Sequence, residues 1–574
     1  MRLANTFSMP VSKSRGYDPI KVEVWRHLFA SIAEEMGATL ERTGYSPNIK
    51  ERRDYSCALF DSDGRLLAQA AHIPVHLGAM PLMMQRLRQT VKWRPGSMWL
   101  CNDPAHGGTH LPDLTMVAPV YGAIGVMEYG SNGVRGTSLQ HSITPSLQGS
   151  LVRHRFEHLG HSILLGFVAN RAHHADIGGM SPGSMPLSTE LIQEGLIIPP
   201  VRYMAGGRVN SDLRNLVCSN SRTPNERRGD LAAQVSANQT GIRRFQELVE
   251  RYGLAEVQLR ANEARTYAEA VVSQAVSSAP EGVYRYADYL DDDGMGNVDL
   301  PIAVTVTIRK GRITFDFTGS APESAGPMNA TEAVTRSACY YVVRCLVDED
   351  IPMNDGAFNC IEVIAPERTV VNARPYRAVS AGNVETSQRI TDVLLGALAQ
   401  AFPDRIPAAS QGTMNNLMIG GLDPVRGGQF AYYETICGGA GASAVGAGAS
   451  AVHTHMTNTR NTPIEALEMH YPLRVREYSI REGSGGSGKN TGGAGVVRSV
   501  ELLAPAQVSI VSDRRVHAPP GAAGGSPGSH GRNLITSRDG AQILPGKSTL
   551  ALHTGTVVSI ETPGGGGHGR PLGE

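Results

Sequence analysis

The sequence predicts a mixed α and β (α+β) fold built from several lobes. Helical spacing of apolar residues over 20–42 and again over 227–276 predicts long amphipathic helices. Strict alternation of apolar and polar residues over 300–317 predicts an antiparallel strand hairpin. The chain has 574 residues, more than one hydrophobic core normally organises. We therefore expect two or three domains or interlocked lobes.

The N-terminal part is predicted to open with a helix that is followed by a strand hairpin. A four-residue spacing places five apolar side chains on one helical stripe: Val24, Leu28, Ile32, Met36 and Leu40. After this helix, the segments 57–60 and 65–69 flank the turn-forming run Asp61–Gly64. We expect these two segments to pair as antiparallel strands.

The middle of the chain is predicted to contain a helical hairpin that lies between two lobes. Gly253 interrupts the helical spacing of 227–276 and is positioned to end the first of two helices. A further helix is expected over 387–401. The C-terminal third is rich in glycine, which predicts tight turns between short strands near 496–512 and 548–561.

The composition argues against several classes of protein. Lys plus Arg and Asp plus Glu both number 53, and no basic run resembles the patch that nucleic acids require. No apolar stretch is long enough for a membrane span, and the first residues lack the apolar core of a signal peptide. The seven cysteines form no CxxC pair, which argues against a disulfide framework or a thiolate zinc site. We expect a soluble, cytoplasmic protein without a nucleic-acid or membrane partner.

The run NDPAHGGTHLPD (102–113) places two imidazoles and two carboxylates in a short, turn-forming segment. His110 and Asp113 are three residues apart, and Pro112 restricts the backbone between them. Both side chains can therefore converge on one cation with mixed nitrogen and oxygen ligands. A hydrogen-bonded structural turn explains the same residues equally well at this point.

A second cluster, HHADIGG (173–179), follows an apolar run that predicts a buried strand. Adjacent histidines on an extended chain point in opposite directions, so only one of His173 and His174 can reach a given ion. The plain alternative for either is a buried, hydrogen-bonded imidazole. Asp54 and Asp176 compete for a further ligand or base role, and ordinary ion pairing with a neighbouring arginine is the alternative for Asp54.

The segment Gly483–Asn490 nearly matches a phosphate-binding loop. Its last position is asparagine where Ser or Thr would bind magnesium, and the sequence that follows cannot open a helix. We therefore do not expect a nucleotide site there.

Together these segments resemble the hydantoinase B / 5-oxoprolinase / acetone carboxylase α-subunit family. Six motifs carry the resemblance, in the family's order and over nearly the whole chain: SPNIKERRD (46–54), HIPVHLG (72–78), NDP with GGTHLPD (102–113), HHADIGG (173–179), HTHMTNTRNTPIE (453–465) and TPGGGGHG (562–569).

The resemblance implies a B subunit that works with a larger A subunit in a heterotetramer or larger assembly. The A subunit would bind ATP and phosphorylate the substrate. The B subunit would hold a divalent metal, zinc or manganese, and supply a metal-activated hydroxide that opens a lactam, hydantoin or 5-oxoproline ring. Two other functions remain open at this stage, an ATP-dependent ketone carboxylase and a non-catalytic scaffold for the A subunit.

Carried over residue by residue, the resemblance assigns the site to four metal ligands and one supporting carboxylate. The implied ligands are His110, Asp113, His173 and Asp54, with His174 as the alternative to His173. Asp176 is expected to hold a histidine tautomer. The residues expected to carry catalysis are His110, Asp113, His173 and Asp176.

The resemblance also goes with a prediction of three regions in the chain. Residues 1–225 are expected to form a metal-binding lobe, 226–283 the helical hairpin, and 284–574 a sheet-rich, glycine-rich C-terminal lobe. The family usually runs from THLPD to HHAD in fewer residues, so 122–161 is predicted to be an insertion in what would otherwise be one hairpin. This insertion is expected to be exposed or to form part of the partner interface.

Overall fold

The computed structural model describes residues 18–70, 73–123, 162–348 and 350–571, and it confirms a mixed fold of helices and several sheets. The helices are α1 (Pro19–Thr43), α2 (Pro47–Lys50), α3 (Ala79–Thr90), α4 (Ser211–Ser219), α5 (Pro224–Tyr252), α6 (Leu254–Ser277), α7 (Glu332–Cys345), α8 (Ser387–Leu398) and α9 (Ile464–His470). A π-helical turn over Gly382–Thr386 precedes α8.

The strands form four sheets. The first has the order β2 (Leu66–Ala70), β1 (Tyr55–Asp61), β5 (Ser162–His173), β4 (Asp113–Ala123), β3 (Met98–Cys101), β6 (Val201–Ala205) and β7 (Arg208–Val209). The second has the order β11 (Ile361–Ile364), β10 (Arg312–Asp316), β9 (Val298–Arg309) and β8 (Gly282–Asp292). The third has the order β13 (Gly428–Glu434), β12 (Asn416–Asp423), β16 (Ala506–Val511) and β19 (Lys547–Leu552). The fourth has the order β14 (Leu473–Arg481), β15 (Gly495–Leu502), β20 (Val557–Glu561), β17 (Arg532–Ser537) and β18 (Gly540–Leu544).

The first sheet is buried on both faces. Side chains alternate along a strand, so Phe167 and Val168 of β5 face opposite sides. Val168 packs in a core with Phe29 of α1 and Leu231 of α5, whereas Phe167 packs in a core with Ile302 of the second sheet. The first and second sheets thus share one continuous core, and the predicted domain boundaries stay a prediction.

The two helices predicted over 227–276 are confirmed, with their break at Gly253, whose φ is 81°. They diverge from that residue. α5 packs on α1 and on β4 and β5, whereas α6 continues to β9 and β10 of the second sheet. The helices therefore connect the two cores rather than pairing along their length.

β4 and β5 are the central pair of the first sheet, and their register brings two of the sequence motifs together. Asp113, the first residue of β4, lies opposite His173, the last residue of β5. The chain leaves this pair at the other end, where Ala123 lies opposite Ser162, about 33 Å away at the usual rise per strand residue. Residues 124–161 of the predicted insertion lie outside the described residues.

The glycine-rich segments of the C-terminal part pack as extended backbones in direct contact. Successive amides of the 564–567 run donate to three different segments: Gly565 to the Gly493 carbonyl at 2.9 Å, Gly566 to that of Ala409 at 2.8 Å and Gly567 to that of Ser526 at 2.9 Å. Side chains have no space between backbones packed this closely.

Among the helices that the structure describes, none has the length and apolarity required to cross a membrane.

Candidate metal centre

The THLPD segment is held by its own turn and by a buried asparagine. The Asp113 amide donates to the His110 carbonyl at 3.2 Å, which closes a turn before β4 begins. The Asn102 side chain donates to the Leu111 carbonyl at 2.8 Å and accepts from the Ile198 amide at 2.7 Å. Asn102 is fully buried, so these bonds fix the loop against the sheet.

His110, Asp113 and His173 form a buried triangle of ligand atoms. His110 Nε2 lies 3.1 Å from His173 Nδ1, and each of these nitrogens lies 3.3 Å from Asp113 Oδ1. Ligands that bind one ion at about 2.1 Å are separated by about 3.0–3.4 Å in octahedral or tetrahedral geometry. The three atoms therefore fit one face of the coordination shell of a divalent cation and leave its other positions open. No other group of this kind occurs among the described residues.

The two oxygens of Asp113 have different partners. Oδ1 faces the two imidazoles, whereas Oδ2 accepts from the Thr109 hydroxyl at 2.5 Å and lies 3.3 Å from His76 Nε2. Burial opposes ionisation, but the interactions with His110, His76 and His173 outweigh it and hold the pKa of Asp113 well below its usual value. The carboxylate is therefore ionised, and its Oδ1 faces the two imidazoles.

His76 lies in the HIPVHLG motif, but sequence reasoning assigned it no role. Its Nδ1 lies 3.0 Å from the Ser56 hydroxyl on β1, and its Nε2 faces Asp113 Oδ2. The ring is fully buried and bridges β1 to the cluster. The repeated histidines of the motif were the available signal, but their distance from Asp113 in sequence hid the contact.

His173 and His174 point to opposite faces of the first sheet, as their adjacency on an extended strand predicts. Burial lowers the pKa of His173, so its ring is neutral and able to act as a ligand. His174 Nε2 lies 3.1 Å from Gln234 Oε1 on α5, and burial lowers its pKa to about 3. The structure thus brings His173, and not His174, to His110 and Asp113.

Asp54 lies beside the triangle but outside it. Its backbone carbonyl accepts from the His173 amide at 3.0 Å, and its negative charge raises the pKa of His173 against the effect of burial. Arginine pairing was the plain alternative, yet Arg53 pairs with Glu41 at 2.7 Å and Arg52 turns to Tyr433. The Asp54 carboxylate is nearly buried and has no hydrogen bond or ion pair within the described part of the chain. Its role as a ligand stays a prediction.

Asp176 has a different environment from the one expected. Its carboxylate accepts from Arg222 Nη1 at 2.9 Å, from the Arg222 amide at 3.0 Å and from the Gly178 amide at 3.1 Å. These bonds tie the loop after β5 to the segment that precedes α5. The structure therefore does not bring Asp176 to the three clustered side chains, and its contacts favour a structural role.

A stack of three side chains supports His173. The His173 ring stacks on Tyr433 with centroids 4.7 Å apart and an interplanar angle of 23°. The Arg52 guanidinium lies over the Tyr433 ring, 4.6 Å from its centroid. Tyr433 is fixed further because its hydroxyl donates to Asn416 Oδ1 at 3.1 Å and its carbonyl accepts from Arg52 Nη1 at 2.7 Å.

Replacing Tyr433 by Leu is expected to weaken metal binding about tenfold, because loss of a group that orients a ligand typically costs that much affinity. The adjacent Tyr432 is a matched control. It is equally buried, but its hydroxyl donates to Glu434 and its ring packs against Tyr471. Tyr432→Leu should lose comparable stability without losing metal affinity. Competition titration with a chelating dye measures both, and equal affinities in the two variants would contradict the role of the stack.

Comparison with known proteins finds a matching family model, similar sequences and similar solved structures. The family model for hydantoinase B/oxoprolinase matches residues 18–129 and 155–571. The interruption between the two matched ranges falls within the predicted insertion.

Two relatives differ in how much of their length this chain covers. 5-Oxoprolinase 1 from Arabidopsis thaliana is 39% identical over 592 residues, which cover 97% of this chain and 42% of the plant protein. The B subunit of a putative D-/L-hydantoinase from Pseudomonas sp. (strain NS671) is 30% identical over 578 residues, which cover 97% of this chain and 90% of that protein. The chain thus spans less than half of the first relative and nearly all of the second.

Two solved structures share the fold. The ATP-dependent caprolactamase from Pseudomonas jessenii has a TM-score of 0.83 at 26% identity, covering 97% of this chain and 93% of that chain. Nucleotide-free acetone carboxylase has a TM-score of 0.82 at 19% identity, covering 97% of this chain and 76% of that chain, which is a likeness of fold alone.

Proposed function

The chain belongs to the hydantoinase B/oxoprolinase family, and on that premise we propose that it is the B-type subunit of an ATP-dependent hydrolase that opens a small cyclic amide. The observation that carries the proposal is the buried triangle of His110, Asp113 and His173, whose ligand atoms already stand at the spacing of a coordination shell.

The coverage of the relatives supports a two-subunit enzyme. The alignment covers 90% of the putative hydantoinase's B subunit, which is named as a subunit, and 42% of 5-oxoprolinase 1. An A-type partner would bind ATP. The near match to a phosphate-binding loop at Gly483–Asn490 leads into strand β15 instead of a helix, which agrees with placing ATP on the partner.

The residues of the cluster prepare a cation site without further rearrangement. Asp113 is ionised and directs Oδ1 at the two imidazoles, while Thr109 and His76 occupy Oδ2. Asp54 completes the proposed ligand set, since it is a nearly buried carboxylate beside the cluster with no partner among the described residues. A zinc or manganese ion held there would polarise a carbonyl or phosphoryl oxygen and make water more acidic.

ATP is required in this proposal because an amide is resonance-stabilised. The partner transfers a phosphoryl group to the amide oxygen, which makes the ring carbon electrophilic. Water adds to that carbon, the C–N bond breaks and the ring nitrogen takes a proton, which leaves an acyl phosphate. A second water hydrolyses the acyl phosphate to a carboxylate and free phosphate. The role of this chain is to orient the ring carbon and the water at one buried site.

Two alternatives have less support. A ketone carboxylase shares the fold, but no feature of the site favours a ketone. A scaffold that only docks the partner leaves the buried triangle and its ionised Asp113 without a role.

The test is reconstitution with the A-type partner and assay of 2-pyrrolidinone, 5-oxoproline, hydantoin and ε-caprolactam with ATP. We expect ring-opened product and ADP to appear together, and only when both subunits are present. Ring opening by this chain alone or without ATP would contradict the proposal. ATP-dependent consumption of acetone and bicarbonate, with no lactam opened, would replace it by the carboxylase.

A further inference from the structure

The HTHMT segment (453–457) is connected to the metal centre through Arg52 but has no part in the cluster. It continues into Arg460, whose amide donates to the Arg52 carbonyl at 3.0 Å and whose carbonyl accepts from Arg52 Nε at 3.3 Å. Arg52 belongs to the stack that supports His173. The segment is therefore anchored to the layer of side chains directly behind a proposed ligand.

Several polar atoms of this segment are buried without a hydrogen-bond partner among the described residues. They are both ring nitrogens of His453 and the hydroxyls of Thr454 and Thr457. The amide of Asn461, which approaches His453, is already bonded to Glu434, Thr435 and Tyr478. Buried polar groups are nearly always satisfied, so these atoms are available to water or to a ligand.

A second group of such atoms comes from the start of α8 and the π-helical turn before it. Gln388 Nε2 donates to the Thr454 carbonyl at 3.0 Å, which fixes the amide orientation and leaves Oε1 without a partner among the described residues. Asn383 Oδ1 is likewise buried and unpartnered there. Gln388 and Asn383 are 0% and 5% exposed. The Gln388–Thr454 bond therefore joins the HTHMT segment to a side chain whose amide oxygen is unsatisfied.

The backbone around these atoms is unusual on both sides. His455 has a φ of 56°, a left-handed conformation that side chains larger than glycine rarely adopt. Its ring lies 3.4 Å from the Tyr341 hydroxyl on α7. Asn383 lies in the π-helical turn Gly382–Thr386. Strained residues and π-helical turns are concentrated at functional sites.

The buried side-chain atoms that have no partner among the described residues match a neutral ligand in which a hydrogen-bond acceptor lies beside a hydrogen-bond donor. Burial lowers the pKa of His453 to about 4, so its ring is neutral near pH 7. Arg52 already donates to the Tyr433 carbonyl, the Thr435 hydroxyl and the Arg460 carbonyl. The C=O and N–H of a lactam require one donor and one acceptor, which these side chains supply.

We propose that His453, Thr457 and Gln388 form the subsite that binds the amide edge of the ring before phosphoryl transfer, with Thr457 donating to the carbonyl and Gln388 Oε1 accepting from the N–H. The inference rests on the proposed function, because it places the reacting amide beside the metal centre. Thr454 and Asn383 line the same subsite.

The test compares 2-pyrrolidinone with cyclopentanone, a ring of equal size that has the carbonyl but no N–H. Binding of each probe to the complex with the A-type partner, without ATP, is measured by saturation-transfer NMR. Thr457→Val should weaken both probes about tenfold, since each loses a hydrogen bond to a buried carbonyl. Gln388→Met should weaken only 2-pyrrolidinone.

Thr459→Val is the matched control, because the Thr459 hydroxyl is already bonded to Thr435 at 2.7 Å and is not available to a ligand. It should leave both affinities unchanged. Unchanged 2-pyrrolidinone binding in Thr457→Val and Gln388→Met, or no binding to the wild-type complex, would overturn the subsite. Failure of the proposed function would give a different result. If lactam binding responds to these variants but no ring is opened in the presence of ATP, the subsite is supported and the proposed reaction is rejected.

Discussion

Asp113→Asn protein is expected to fold but not to bind the divalent metal proposed for the site. Asp113 Oδ1 is the atom that both imidazoles of the triangle share, at 3.3 Å from each. An amide of the same shape keeps the contacts with Thr109 and His76 but removes the negative charge. Loss of a residue that merely orients a ligand costs about 10–100-fold in metal affinity, so loss of the ligand itself should cost at least about 100-fold. Elemental analysis and chelator competition measure the loss.

His174→Gln is the control for this experiment. His174 is as buried as His173 and adjacent to it, but it bonds to Gln234 on the other face of the sheet. Its replacement should leave one metal ion per chain, whereas His173→Gln should behave like Asp113→Asn. Full metal content in Asp113→Asn, with lactam opening intact in the reconstituted complex, would remove the triangle from the mechanism.

The part of the site that could be predicted from sequence is the part that short-range geometry controls. His110 and Asp113 are joined by one restricted turn, and the alternation of strand side chains separates His173 from His174. The missing step was the pairing of β4 with β5, which brings Asp113 opposite His173. The resemblance supplied that step, because it grouped the two motifs before the register was known.

The supporting residues could not be predicted because their contacts join distant segments. His76 reaches Asp113 from the loop before α3, and Tyr433 reaches His173 from the third sheet. Arg52 has a carboxylate neighbour in sequence, which suggested an ion pair, but its charge faces an aromatic ring instead. The residues next to Arg52 in sequence do not indicate that it contacts an aromatic ring rather than a carboxylate.

The buried face of a helix also could not be predicted from local sequence alone. The predicted stripe of α1 begins at Val24, which is 51% exposed. A constant spacing of four residues drifts around a helix that has 3.6 residues per turn. The buried face instead follows Trp25, Phe29, Ile32 and Met36, which mixes spacings of three and four. The existence of the helix follows from the pattern, but its orientation depends on the sheet that it covers.

Gly565→Ala is expected to destabilise the C-terminal part by at least about 3 kcal/mol, at the upper end for an added methyl group in a packed core. A Cβ at Gly565 would overlap the carbonyl oxygen of Ala440. That oxygen accepts from the Gly493 amide at 2.9 Å, and Gly493 in turn accepts from Gly565. Neither backbone can move away without breaking these bonds, so the overlap cannot be relieved locally.

Gly446→Ala separates this steric effect from any general dependence on glycine. Gly446 lies in the glycine-rich run 438–448, its φ is not in the left-handed region, and a Cβ there would meet no atom within 4 Å. Alanine at such a position restricts the unfolded chain and stabilises a protein by about 0.4–1 kcal/mol. The two variants should therefore shift the free energy of unfolding in opposite directions in urea denaturation. Equal effects would mean that the glycine segments are not packed backbone against backbone.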